Sequence, residues 1–278
     1  MSVTSEEPVT APVLADLHVH TEFSWDAPRG AMVESCRRAV SLGFKAVAFT
    51  DHADYSELAG GARLDLAGYL EAVAYCRRQF PRLSVWSGVE LGEPHRFPSE
   101  AAILLRQGRF DLVLGSLHSV ILSKKVVELS ETDQIRDENP AALMRAYFEE
   151  QLRLLEGPVE FQVLTHFEYL KRFWLAGWPT YRSEEYQAEI RTVLEAAVRR
   201  GVVLELNTTR GGDPARALCP SPVVIGWWQE AGGRLLSLGS DAHDPSTVGA
   251  GFRLAADVAT QAGFAPSTAR FGMWSGCP

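Results

Sequence analysis

Cysteine is scarce in this chain. The four residues, Cys36, Cys76, Cys219 and Cys277, lie far apart and form no C-x-x-C. That argues against a zinc ribbon or a disulfide scaffold and fits a reducing, cytoplasmic setting. Cys36 and Cys76 sit beside apolar residues in stretches of helical period and read as core. Positive charge is also short: 27 Lys and Arg stand against 35 Asp and Glu, a net of −8. Basic residues cluster no further than pairs such as Lys124-Lys125 and Lys171-Arg172. A general nucleic-acid binder would show a basic stripe, so no nucleic-acid partner is expected. Acidity does not exclude a phosphorylated substrate, because bound metal ions supply positive charge locally. No window approaches the ~20 apolar residues of a membrane span, and no N-terminal segment joins a basic start to an apolar run. Neither G-x-G-x-x-G after the first strand nor G-x-x-x-x-G-K-[ST] occurs, which removes the dinucleotide-binding and P-loop folds.

What is present has the balance of a globular protein: 278 residues, 46% apolar and 22% charged, enough for one large domain. Residues 1–12 read as a loose, flexible tail. Beyond them, short apolar runs alternate with stretches of helical period. The runs are V-L-A-D-L-H-V-H, K-A-V-A-F-T-D-H, S-V-W-S-G-V-E-L, F-D-L-V-L-G-S-L-H, V-E-F-Q-V-L-T-H, V-V-L-E-L-N-T and R-L-L-S-L-G-S-D-A-H. Rich in Val, Leu and Phe and bounded by Gly, Pro or polar residues, they suit buried strands of a parallel sheet. Helices are predicted at about 30–42, 67–80, 98–107, 140–156, 183–200 and 220–232. The helix over 140–156 ends at Gly157-Pro158, and the one over 183–200 ends in Arg199-Arg200-Gly201, both sound stop signals. Seven strands with helices between them predict an α/β protein, either a closed barrel or an open doubly wound sheet. Residues 119–139 are too long for an ordinary connection and predict an excursion over one face, a candidate lid.

The ligand-type residues all fall at the C-terminal ends of the apolar runs. His18 and His20 close the first, His52 the second, Glu90 the third, His118 the fourth, His166 the fifth, and Asp241 with His243 the seventh. On an extended strand residues i and i+2 share a face, so His18 and His20 would present two imidazoles together. Taken singly, a strand-end histidine is an ordinary hydrogen-bonded residue. Six of the seven histidines at strand ends are not explained that way, because parallel α/β folds converge their chemistry on that one face. Glu90 and Asp241 strengthen the case, since a carboxylate in an apolar strand is costly without a cationic partner. His95, in the proline-flanked G-E-P-H-R-F-P, stands apart and is expected to be exposed or to face substrate.

A set rich in nitrogen, with two or three carboxylates and no sulfur, suits zinc, manganese or iron rather than magnesium or calcium. The set exceeds what one ion can take, so two or three divalent ions are expected. Such a site suits hydrolysis of a phosphate ester.

The motifs H-V-H, F-T-D-H, G-V-E, G-S-L-H, T-H and G-S-D-A-H, in this order, resemble those of the polymerase and histidinol phosphatase (PHP) superfamily. H-V-H-T-E-F-S-W-D-A, F-T-D-H-A-D-Y, L-E-L-N-T-T and P-S-P-V-V-I-G-W-W-Q-E-A-G-G resemble its histidinol-phosphatase branch. The resemblance implies a distorted seven-stranded (β/α), TIM-like barrel spanning 13–278 as a single domain, with a trinuclear site at its C-terminal face. It also implies a division of the ligands. His18, His20, Glu90 and Asp241 would take one ion; Glu90, His118 and His166 a second; Asp26, His52 and His243 a third. In the implied mechanism a metal-bridging hydroxide, held by Glu90, His118 and Asp241, attacks a phosphomonoester. L-Histidinol phosphate, in histidine biosynthesis, is the expected small substrate. An arginine suits phosphate geometry; Arg210 is the first choice, with Arg172 and Arg63 behind it. His95 also belongs to the candidate substrate contacts. Glu93, Asp54, Trp25 or Phe23 would meet the amine and imidazole. The competing readings are a phosphoesterase acting on a nucleotide or sugar phosphate, an exonuclease, and a non-catalytic metal-stabilised barrel acting as a scaffold. The oligomeric state is left open.

Overall fold

A computed structural model of the chain describes residues 15–56, 64–211, 218–267 and 270–276. The expected tail at 1–12 lies outside them. All seven apolar runs form strands, and all seven run parallel: β1 (Ala15–Val19), β2 (Ala46–Phe49), β4 (Ser84–Gly92), β5 (Leu112–Ser116), β8 (Val163–Leu164), β9 (Val203–Asn207) and β10 (Leu235–Gly239). They lie side by side in chain order. A short strand, β3 (His52–Ala53), adds to the edge of β4.

The sheet curls into a barrel because each strand buries both faces. Outward-pointing Val47, Phe49, Val113, Leu204, Leu206, Leu236 and Leu238 join a core shared with the helices. Their neighbours Ala46, Ala48, Leu112, Leu114, Val163 and Val203 form a second cluster that contains no residue of the helices, which is the barrel interior. Among the described residues the ring closes at its C-terminal rim. There Val19 bridges Ala242, His20 N donates to Ala242 O at 2.8 Å, and Asp241 N donates to His18 O at 2.8 Å. Asp16 helps hold this closure, accepting from Ser240 N (3.0 Å), Ser240 Oγ (2.6 Å) and Gly249 N (2.9 Å). At the opposite end the free edge of β10 pairs instead with antiparallel β12 (Trp274–Gly276), which in turn pairs with β11 (Phe264–Pro266). Phe271 and Met273 enter the inner cluster from this C-terminal segment. This wedge is the distortion of the barrel.

The helices α1 (Met32–Ser41), α2 (Leu66–Gln79), α3 (Pro98–Gly108), α5 (Pro140–Glu156), α6 (Gln187–Arg200) and α7 (Pro222–Glu230) match the predicted segments within a few residues. The start of the segment predicted at 183 is a 3-10 turn, Ser183–Tyr186, that leads into α6. α8 (Phe252–Gln261) lies beyond the predicted segments; three of its five buried residues are alanines, Ala255, Ala256 and Ala259, which give a weak apolar period. The excursion at 119–139 is a hairpin followed by one helical turn: β6 (Ser119–Leu122), β7 (Lys125–Glu128) and α4 (Thr132–Ile135). Its two-residue turn, Ser123-Lys124, has φ of 49° and 66°, the conformation that matches the twist of paired strands. No helix among the described residues is long and apolar enough to cross a membrane.

Candidate metal centre

The C-terminal rim of the barrel gathers all nine expected ligands. His18 lies within β1, and His20 follows its last residue. A register irregularity between Asp16 and Val19 turns this end of β1, and the Nε2 atoms of His18 and His20 stand 3.1 Å apart. His52 faces Glu90 as its partner in the β3–β4 register. His118 and His166 follow β5 and β8 by two residues each, and Asp241 and His243 follow β10. His166 and Asp241 hold positive φ (23° and 57°), an uncommon backbone for non-glycine residues that is found where surrounding structure imposes it.

Glu90 stands at the centre, nearly inaccessible at 1% exposure. Its Oε2 lies 3.0 Å from His18 Nε2, 3.3 Å from His20 Nε2 and 3.5 Å from His52 Nδ1. Its Oε1 lies 2.8 Å from His166 Nε2 and 3.3 Å from His118 Nε2, and accepts from Ser116 Oγ at 2.6 Å. The two oxygens of one carboxylate therefore address two separate imidazole sets. A third set lies at the rim, where Asp26 Oδ2 is 2.7 Å from His243 Nε2 and 3.5 Å from His52 Nε2. Asp241 Oδ1 is 3.4 Å from His20 Nε2 and 3.5 Å from His243 Nδ1.

These spacings fit divalent ions. A tetrahedral shell with Zn–N bonds of ~2.0–2.1 Å has ligand-to-ligand edges of roughly 3.3–3.4 Å, close to the 3.1 Å and 3.3 Å between the two imidazole pairs. Four groupings of possible ligand atoms occur: His20, Asp26, His52 and His243; His18, His20 and Glu90; Glu90, His118 and His166; and His52, Asp54 and His118. Asp26 Oδ1, His52 Nδ1 and Asp54 Oδ1 are buried without a hydrogen-bond partner, the state a cation would relieve. No described cysteine joins any grouping, so the donor set is imidazole and carboxylate.

The protonation balance of the metal-free chain points the same way. Burial would raise Glu90, but His18, His52 and the hydrogen bonds from His118 and His166 hold it well below the usual carboxylate range. Burial would likewise raise Asp26, and His52 and His243 keep it low. Burial pushes His166 and His243 down to about 4, against the pull of Glu90 and Asp26 respectively. Burial would also lower His118, yet its hydrogen bond and proximity to Glu90 raise it to about 9. In the same way Glu205 and Glu90 overcome burial at His18, and Asp54, Glu90 and Asp26 do so at His52; both sit well above 6.5. Protons there stand where cations would bind.

An outer layer orients the imidazoles. Glu205 Oε1 is 2.7 Å from His18 Nδ1, Ser24 Oγ is 2.9 Å from His20 Nδ1, and Asp241 O is 2.9 Å from His243 Nδ1. Glu93 Oε1 accepts from His118 N (2.6 Å) and Ser119 N (2.8 Å). Glu205 escaped the sequence reading, and Asp54, expected at the substrate, groups instead with His52 and His118. The signal for Glu205 was there, since V-V-L-E-L-N buries a carboxylate in an apolar strand just as W-S-G-V-E-L does.

Above the rim opens a cleft of about 420 Å³. Glu128, Ser130, Glu131 and Gln134 line it from the hairpin and α4, together with Trp25, Glu93, Tyr169 and Phe173. Arg172 is the candidate phosphate contact that the structure brings to it. Its guanidinium donates to Asp241 Oδ2 and Asn207 Oδ1, both at 2.7 Å, and lies 5.1 Å over the Tyr169 ring; its Nε is buried and unpartnered. Arg63 lies outside the described residues. Arg210 sits in a short 3-10 turn, Thr209–Gly211, just beyond β9. His95 is not brought to the cleft: its Nε2 pairs with Glu150 of α5 at 2.8 Å, beside Arg96.

Known proteins share this architecture. The histidinol-phosphatase of Lactococcus lactis is 25% identical over 82% of this chain and 83% of its own length. A probable histidinol-phosphatase of Clostridium acetobutylicum is 26% identical, over 90% of this chain and 94% of its own length. The crystal structure of the L. lactis histidinol phosphate phosphatase, complexed with zinc, L-histidinol and phosphate, superposes with a TM-score of 0.77 at 20% identity, covering 90% of this chain and 94% of that one. This likeness bears out the distorted TIM-like barrel. Residues 16–209, from β1 past the end of β9 and so through all the ligand positions except Asp241 and His243, match the PHP domain. With the motifs in order at the strand ends and the barrel beneath them, the chain belongs to the PHP domain family.

Proposed function

We propose that this chain is a metal-dependent phosphomonoesterase that hydrolyses L-histidinol phosphate to L-histidinol and phosphate in histidine biosynthesis. The observation that carries the reading is Glu90, whose two oxygens face two distinct imidazole sets at 2.8–3.5 Å. The relatives named histidinol-phosphatase support the choice of substrate. Zinc, manganese or iron suits the donors. His18, His20, Glu90 and Asp241 would hold one ion, Glu90, His118 and His166 a second, and Asp26, His52 and His243 a third. Divalent ions at these positions would lower the pKa of a shared water and offset the charge that develops on the phosphoryl oxygens.

The chain's own residues orient the ester. The Arg172 guanidinium, held by Asp241 and Asn207 at the cleft wall, would take phosphoryl oxygens, with Arg210 as a second candidate. Glu93, Glu128 and Glu131 make the opposite part of the cleft acidic, which suits the amine and imidazole of histidinol phosphate better than a nucleotide. The reading also takes residues 13–278 as a single domain and the cytoplasm as its setting, which the dispersed cysteines favour.

The test is phosphate release from a panel of monoesters by protein of measured metal content. Histidinol phosphate should exceed p-nitrophenyl phosphate and nucleoside monophosphates in kcat/KM by at least about 100-fold. Equal turnover of histidinol phosphate and the aryl ester would overturn the substrate assignment, and preference for a nucleotide would replace it.

A further inference from the structure

Behind the imidazole layer lies a carboxylate that none of the implied ligand sets contains. Glu205 projects from β9 and is 1% exposed. One oxygen accepts from His18 Nδ1 at 2.7 Å; the other accepts from His166 N at 2.7 Å and Asn207 Nδ2 at 3.1 Å. Glu90 touches the same two histidines from the opposite side, 3.0 Å from His18 Nε2 and 2.8 Å from His166 Nε2. Each histidine is thus gripped between one carboxylate that faces the ion positions and one that does not. Glu205 engages His18 at Nδ1, which leaves Nε2 as the ring atom turned toward Glu90 and His20.

Asn207 lies two residues along β9, on the same face. Its Oδ1 accepts from the Arg172 guanidinium at 2.7 Å and from Thr209 N at 2.8 Å. The E-L-N triplet of β9 therefore touches one histidine from each of two proposed ion sites and the proposed phosphate-holding arginine. The neighbouring strand is shaped around it. Gly239 is the register partner of Asn207 in β10, and a Cβ there would stand 2.2 Å from Glu205 Oε1 and 2.5 Å from His18 Cβ. No other residue leaves room for the Glu205–His18 contact.

We infer that Glu205 and Asn207 are a positioning pair that fixes His18, His166 and Arg172 in one frame, coupling ion binding at two sites to the placement of the phosphate. The inference rests on the metal reading of the site given above. Its test uses the full chain, with zinc and cobalt(II) as probes. E205Q keeps the shape of the side chain but cannot accept at both oxygens, so its amide nitrogen must face either His18 Nδ1 or the His166 N–H. Zinc affinity, read by chelator competition, should fall about 10–100-fold, as for other outer partners of metal-bound histidine. The visible spectrum of the cobalt(II)-loaded protein should change with it, while the metal-free protein keeps the circular dichroism spectrum of the wild type. N207A should raise the inhibition constant of inorganic phosphate about 10-fold. A folded E205Q with wild-type zinc affinity and cobalt spectrum overturns the proposal. So does an E205Q that only melts lower while its folded fraction binds zinc normally. A wild-type chain that binds no divalent ion overturns both this inference and the reading beneath it, and that result is read before any variant is made.

Discussion

Asp26 and His243 stand 217 residues apart in the chain and 2.7 Å apart in space. Asp26 belongs to the loop after the first strand and His243 to the loop after the last parallel strand, so their contact exists only because the barrel closes at this rim. Asp26 is also the more exposed member of the site, its side chain 26% accessible against 11% for His243. Asp26→Asn should therefore spare the fold and weaken only the ion shared with His52 and His243. Metal analysis should show the bound content falling by one ion, with kcat reduced at least ~100-fold, the upper figure for loss of a mere outer partner. An unchanged metal content would remove Asp26 from the ligand set.

His118 offers a cleaner separation of chemistry from folding. It follows β5 at the cleft floor, and its side chain packs on His52, His166 and Tyr169 rather than within either apolar cluster. His118→Ala should abolish phosphate release while the metal-free protein keeps its circular dichroism spectrum and a cooperative melt. Activity retained in this variant would dismantle the proposed second ion position.

The imidazoles make stability depend on pH in opposite directions with and without metal. In the metal-free chain His118 is raised from 6.5 to about 9, chiefly by Glu90 working against burial. A raised folded pKa contributes stability that is complete below pH 6.5 and lost as pH rises through 9. Burial raises Glu128 from 4.5 to about 7, which adds a loss over the lower part of the same window. The metal-free protein should thus melt at a lower temperature at pH 9 than at pH 6.5. Zinc binding must displace the same protons, so the zinc-loaded protein should gain relative to the metal-free one across that range. Thermal melts with and without zinc at the two pH values check this, and parallel curves would refute it.

Much of the fold was legible, since all seven apolar runs are strands, and so was the gathering of the residues that end them. Every expected ligand is on the rim because a parallel strand buried on both faces reads as an unbroken apolar run, and a polar residue ending such a run is conspicuous. His18, Glu90 and His166 are cases of that one signal. What the sequence hid depends on contacts between distant segments. Phe271 and Met273 reach the inner cluster from the C-terminal end, and nothing local in R-F-G-M-W announces that they fill a barrel. Asp16 and Asp51 resemble ligands by position, yet Asp16 holds the closure at Ser240, and Asp51 accepts from Thr21 N (2.6 Å) and Thr21 Oγ1 (2.7 Å). Only the direction in which each side chain leaves its strand separates these carboxylates from Glu90.

The hairpin and α4 give a last prediction, about substrate choice. Glu128 and Glu131 face the cleft from this excursion while Arg172 and the imidazoles line the barrel side. A substrate that spans the cleft would then meet the proposed phosphate contacts on one side and the carboxylates of the excursion on the other. For a phosphate ester with a cationic nitrogen, losing one of these carboxylates removes a charge-assisted contact worth about 1.5–3 kcal/mol, or roughly 10–100-fold in affinity. An aryl phosphate has no cationic nitrogen, so for it the same change removes no attraction. Glu128→Gln should therefore raise KM for histidinol phosphate at least about 10-fold and leave kcat/KM for p-nitrophenyl phosphate within about twofold. The comparison is best made at pH 8, above the value of about 7 to which burial raises Glu128, so that the wild-type carboxylate is ionised. If both substrates lose equally, the excursion shapes the cleft without reading charge, and the preference for a cationic ester must come from elsewhere in the site.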